Sequence, residues 1–161
     1  MNFNQPSQAN SKPSFKVIKI IHLALLAGQC LFAVVTIFLN NTRNGFDTSK
    51  DKEFLLIAIV LTVGGFFVGN LLYKQVSGVS AKKATFAEKF TTYQSALIIR
   101  YALLEGPSLF CIVCYFLTAN LIFLLISGAI IIYFITLKPK ADTIAEDLNL
   151  SYEEKAGLED S

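Results

Sequence analysis

The sequence predicts an all-α membrane protein with four transmembrane helices and both termini on the cytoplasmic side. Three observations carry that prediction. The 161 residues are 53% hydrophobic and only 16% charged, whereas a soluble domain carries about 25% charge. Four stretches approach the length of about 20 apolar residues that crosses a bilayer. None of them shows the strict alternation of a barrel strand, so helices are the reading.

The first span covers about residues 17–39, with its uninterrupted apolar part beginning after His22. That run is too long for the apolar region of a cleaved signal peptide. Leu26-Ala27-Gly28-Gln29-Cys30 resembles a lipoprotein cleavage site, but Gln29 separates the small residue from the cysteine, so the helix is read as retained. Ahead of it, residues 1–16 are polar, contain Pro6 and Pro13, and are expected to be disordered. The loop Asn40 to Glu53 is turn-prone and includes the glycosylation tripeptide Asn40-Asn41-Thr42, close to the membrane.

The second span covers about 54–73, after which Ser77-Gly78-Val79-Ser80 is expected to break the helix. In residues 82–95, Phe86, Phe90, Tyr93 and then Leu97 recur at helical spacing, with Lys82, Lys83 and Lys89 mostly elsewhere on the wheel. This is an amphipathic helix feeding into the third span, about 96–117. It either lies in the membrane interface or extends the bundle. The fourth span, 121–137, is short, and Pro139 closes it.

Residues 138–161 form an acidic tail. Ile144 and Leu148 make a narrow apolar stripe, and Ser151 and Glu154 have capping-box spacing. The tail is read as a solvated segment or as one that docks on a partner or on Lys82, Lys83 and Lys89. The net charge of +2 hides this division. Residues 1–140 hold 13 Lys/Arg against 5 Asp/Glu, and residues 141–161 hold 1 against 7.

Lys and Arg near the span ends set the orientation. Nine of them fall before span one, between spans two and three, or after span four; three fall on the opposite side. The chain also carries a weak repeat at an offset of 78, laying His22–Gly28 on Arg100–Gly106. Taken at face value it makes two parallel-repeated hairpins.

Few residues inside the spans can carry chemistry. Glu105 lies nearly halfway along the third span, where an ionisable group is costly and faces the bundle or water. Its partners are sought among Tyr101 and Ser108 on its own helix and His22, Gln29 and Asn70 on others. Arg100 is about 140° away around the helix and is expected to snorkel outward. Gly106-Pro107 follows and can kink the helix. These residues, Glu105, Arg100, His22, Gln29 and Asn70, form the candidate intramembrane polar site. Gly65 and Gly69 make a G-x-x-x-G packing motif, within the chain or between copies.

Cys111 and Cys114 form C-x-x-C inside a span and are read as small packing residues rather than the pair of a quinone-linked thiol oxidoreductase, since only Cys30 remains as a partner. The lone histidine has no ligand cluster around it. No phosphate loop, zinc motif or nucleophile elbow is present, so no catalytic, cofactor or metal site is predicted. The reading is an accessory or scaffold subunit of a membrane complex, with the lipid bilayer and a membrane-protein partner or second copy as its contacts, and no nucleic acid. The alternative is an oligomeric ion or small-solute transporter or channel using Glu105. Short loops with more Lys than Arg suit a bacterial plasma membrane.

Overall fold

The computed structural model describes residues 15–40, 45–46, 51–151 and 154–155. Its elements are α1 (Phe15–Leu39), α2 (Lys52–Ser80), α3 (Phe86–Thr118), α4 (Leu121–Thr136) and α5 (Ala141–Asp147). Among the described residues there is no strand, only one isolated bridge between Gly45 and Asn120. Three helices, α1 to α3, are long and apolar enough to cross a membrane. A fourth is reached if α4 counts together with α5, from which it is bent by 76°. Residues 1–14 lie outside the described part, while Phe15 and Lys16, assigned above to a disordered terminus, open α1.

The helix α3 is the axis of the molecule. It packs against α1, α2 and α4. Of its most apolar stretch 44% is buried, against 17% for α1 and for α2. The faces turned outward carry Ile20, Leu23 and Phe38 on α1, Leu56, Val60 and Phe67 on α2, and Leu125 and Ile132 on α4. Such a continuous apolar exterior is stable only in hydrocarbon or against another apolar surface.

The two hairpins suggested by the repeat are not equivalent in packing. The helix α2 lies along α3, whereas α1 turns to α3 and α4 and scarcely touches α2. The reason is visible at the α2–α3 seam. Pro107 has no N–H, so the Leu103 carbonyl loses its helical donor. That oxygen faces Gly65: a Cβ there would sit 2.3 Å from it and 3.1 Å from Pro107 Cγ. Only hydrogen fits between the two backbones. One turn on, a Cβ at Gly69 would meet Leu103 Cβ at 3.5 Å, an ordinary contact. The position of α1 that the repeat aligns with Pro107 is Gln29, and neighbouring Gly28 meets nothing within 4 Å. The first half of the repeat has no such seam.

The helix α2 does not break at Ser77–Ser80. Ser77 Oγ donates to the Lys74 carbonyl at 3.3 Å and Ser80 Oγ to Val76 at 2.8 Å. These serines turn their hydroxyls onto their own helix, and Ser80 is fully buried. The helix then tightens out through Ala81 and Lys82. The segment 82–95 is no separate element beyond Thr85: Thr85 caps α3 by accepting from Glu88 N–H, and α3 runs unbroken from Phe86. Its aromatic stripe packs within the protein, because Phe90 and Tyr93 are buried with Phe15 and Ile18.

At the opposite end the α3–α4 turn is tight. Ala119 adopts a left-handed conformation with φ 57°, and its N–H bonds the Tyr115 carbonyl at 2.8 Å. Asn120 caps α4 through Ile122 N–H and reaches Asp51 at 3.2 Å. Asn40 Nδ2 donates to the Tyr115 and Phe116 carbonyls, both at 3.0 Å. That nitrogen is the atom a glycan would occupy, so the sequon residue serves as a cap for α3.

The seam gives a sharp contrast between adjacent glycines. Gly65→Ala should lower stability by about 1–3 kcal/mol, because the new methyl collides with backbone. Gly64→Ala, where nothing lies within 4 Å, should be neutral or slightly stabilising. Thermal unfolding of both variants in mild detergent measures this, and equal effects at the two positions would remove the seam.

Candidate functional site

The polar groups of the spans gather where α2, α3 and α4 meet near α5. Arg100 Nη2 donates to Asn70 Oδ1 at 2.6 Å and to Tyr133 Oη at 3.2 Å. Its guanidinium lies over the Tyr73 ring, 4.6 Å from the centroid. Arg100 is therefore tied into the bundle rather than extended freely outward. Tyr73 and Tyr93 hydroxyls lie 2.7 Å apart, and both reach Asp147 Oδ2, at 2.6 and 2.7 Å. Polar contacts thus run without a gap from Asn70, through Arg100 and the two tyrosines, to the carboxylate of α5.

This arrangement shows what the described part of the acidic tail, residues 141–151 and 154–155, contacts within the chain. Ile144 and Leu148 are buried in the cluster with Phe15, Ile18 and Phe90, and Asp147 binds tyrosines of α2 and α3. Among the described residues no tail carboxylate pairs with Lys82, Lys83 or Lys89; the tail ion pair is internal, Lys155 to Asp142 at 2.7 Å. The hydrogen bond and charge of Lys155 hold the Asp142 carboxyl below its ordinary range. The spacing of Ser151 and Glu154 is a real capping box: Glu154 Oε2 accepts from Ser151 N–H at 2.9 Å, and Ser151 Oγ from Glu154 N–H at 3.3 Å.

His22, on α1, is buried against α4. Its Nε2 lies 3.0 Å from the Phe134 carbonyl, and its ring stacks on Phe134 and meets Tyr101 edge-on. Tyr101 Oη donates to the Leu137 carbonyl at 3.1 Å. Both reach carbonyls at the end of α4: that of Phe134 also accepts from Leu137 N–H at 3.0 Å, and that of Leu137 lies just past the last turn. Ser108 and Ser127 pair across α3 and α4 at 3.0 Å. Gln29 is fully buried, its Nε2 gives only a long 3.4 Å bond to the Leu25 carbonyl, and its Oε1 has no partner.

Every group proposed as a partner for Glu105 is thus turned elsewhere. Tyr101 and His22 cap α4, Ser108 binds Ser127, Asn70 holds Arg100, and Gln29 bonds its own helix. Glu105 itself is half-buried, and among the described residues it has neither a hydrogen bond nor an ion pair. It stands beside exposed Ala102 and Gly106, and a Cβ at Gly106 would meet nothing within 4 Å. The structure brings Asn70 and Arg100 together, leaves Glu105 apart from both, and adds Tyr73, Tyr93, Tyr133 and Asp147, which reading the sequence missed. Cys111 and Cys114 are buried beside Ala58, Tyr115 and Phe123, and Cys30 is exposed.

Three to four apolar helices with apolar outer faces point to a membrane-embedded helical protein. No family model, curated protein or solved structure matches the chain. What the molecule does has to be argued from its own residues.

Two variants test the site. Asp147→Ala leaves two inward-facing phenols without their acceptor and should cost about 1–3 kcal/mol. Limited proteolysis of residues 141–148 should accelerate; unchanged cleavage would show that Asp147 does not hold α5. Gln29→Met removes an orphaned acceptor at similar volume and should raise the thermal midpoint, against a burial penalty of about 1–3 kcal/mol. A lower midpoint would mean that Gln29 has a partner in the working protein.

Proposed function

We propose that the chain is a small multi-pass membrane protein, crossing four times with both termini in the cytoplasm, that acts as an accessory or scaffold subunit of a membrane complex. Glu105 carries this reading. A carboxyl group at mid-span depth finds a partner or a water-filled cavity in nearly every membrane protein. Here the donors expected to meet it, Tyr101, Ser108, His22, Gln29 and Asn70, bond other groups, and Glu105 sits at the border of an outer face beside two residues without bulk. A neighbouring helix can approach closely there. The partner that fits has a Lys, Arg, His or amide side chain at the same depth.

The helix lengths support the spanning arrangement. At 1.5 Å per residue α2 and α3 reach about 44 and 50 Å, well beyond the hydrocarbon thickness of about 30 Å. Their overhang falls at the α5 end. The 16 residues of α4 rise only about 24 Å, and a thinned or tilted arrangement accommodates that shortfall. The basic residues Lys74, Lys82, Lys83, Lys89, Lys138 and Lys140 all belong to the α5 end, which favours the cytoplasm for it.

Purification in mild detergent tests the proposal. The natural chain should carry a second membrane protein or a second copy with it. Glu105→Leu should keep the thermal midpoint and lose at least tenfold of the associated partner. A natural chain that emerges as a monodisperse monomer with nothing bound would overturn the reading.

A further inference from the structure

Two hollows lie end to end in the groove that α2, α3 and α4 enclose. The first, about 180 Å³, is lined by Tyr73, Tyr93, Arg100, Leu137, Lys138 and Lys140. It is several times the ~30 Å³ share of one water. The second, about 440 Å³, is bordered by Phe66, Phe67, Leu104, Ile126, Ile130 and Tyr133 and opens sideways. It exists because α2 and α4 meet only slightly. The same three helices line them: Phe66 and Tyr73 on α2, Leu104 and Arg100 on α3, Tyr133 and Thr136 on α4. Between the two lies the Asn70–Arg100–Tyr133 bridge.

The two hollows have opposite chemistry. Three cations face the first, and a further hollow across the Lys138-Pro139-Lys140 link adds Lys19. Arg100, Lys138 and Lys140 have no ion pair among the described residues. Arg100 Nε is covered from water and has no acceptor. Asp147 is occupied by Tyr73 and Tyr93. Asp142 borders a separate hollow and is paired with Lys155, although it feels the charge of Lys140. The second hollow offers almost nothing but hydrocarbon and aromatic ring. In the spanning arrangement proposed above, the first falls at headgroup depth and the second at acyl-chain depth.

We infer that this groove holds one anionic phospholipid, with its phosphate among Arg100, Lys138 and Lys140 and one acyl chain along Phe66, Leu104 and Ile130. A free phosphate would satisfy the cations and leave the apolar hollow unfilled. A neutral lipid would fill the apolar hollow and leave the cations uncompensated. The inference needs the chain in a membrane but no protein partner, so a purified monomer is sufficient to examine it.

Native mass spectrometry and thermal unfolding of the detergent-solubilised chain test this directly. The probes are phosphatidylglycerol, phosphatidylcholine with the same chains, and inorganic phosphate. One phosphatidylglycerol should remain bound and raise the midpoint, with phosphatidylcholine at least tenfold weaker and inorganic phosphate without effect. The exposed pair K138Q/K140Q should weaken phosphatidylglycerol binding about thirtyfold while leaving the lipid-free midpoint unchanged. Ile130→Phe, which fills the apolar hollow, should weaken binding without touching the cations. Equal retention of the two lipids, equal stabilisation by inorganic phosphate, or full binding by K138Q/K140Q would each overturn the inference.

Discussion

A polar group on a span has no water to turn to, and this one constraint arranges most of the molecule. The Leu103 carbonyl, stripped of its donor by Pro107, is covered by the bare backbone of Gly65. The carbonyls at the end of α4 draw in His22 and Tyr101 from two other helices. Arg100 collects Asn70, Tyr133 and the face of Tyr73. Each of these is an interhelical contact that positions a helix, and the last two also give polar atoms a partner. The helix α3 is central because most of these groups lie on it or point at it.

The same constraint separates settled polar groups from those that look outward. Gln29 Oε1, Thr62 Oγ1 and Arg100 Nε are covered and unpartnered, and Glu105 has no partner among the described residues. These four stand out against an otherwise paired background. Two of them, Glu105 and Arg100, lie on opposite sides of the functional reading. One sits at an open helix face and suits a protein neighbour, and the other lines a groove with further cations and suits an anionic headgroup.

The helical class and the three to four apolar helices were legible because hydropathy is a one-dimensional property that survives without knowledge of packing. The details were lost where the decisive quantity is angular. The long α2 was cut short at Ser77-Gly78 because serine and glycine read as breakers, yet both serine hydroxyls bond their own helix. The stripe of Ile144 and Leu148 was visible, but charge left the tail solvated, or docked on a partner or on Lys82, Lys83 and Lys89, whereas apolar burial and two phenols hold its described part. Glu105 was recognised, but not that its expected partners turn elsewhere, because nearly every side of a span is apolar and periodicity says little about which face turns inward. The bonding roles of Tyr73, Tyr93 and Tyr133 escaped notice, Tyr93 counting only as part of an apolar stripe, since tyrosine reads as apolar while its hydroxyl does the bonding.

The cluster that joins Phe15 and Ile18 of α1 to Ile144 and Leu148 of α5 has a consequence in time. These partners are separated by more than 120 residues of chain. At about 5–20 residues per second, α1 emerges roughly 6–25 s before α5 can cover it. Once Phe90 and Tyr93 are made, their aromatic face lacks the cover of Ile144 and Leu148 until α5 follows, at the end where α2 and α3 overhang. The bundle is therefore a structure whose clasp arrives last. During synthesis that open face is the surface on which a chaperone or an early-binding neighbour would act.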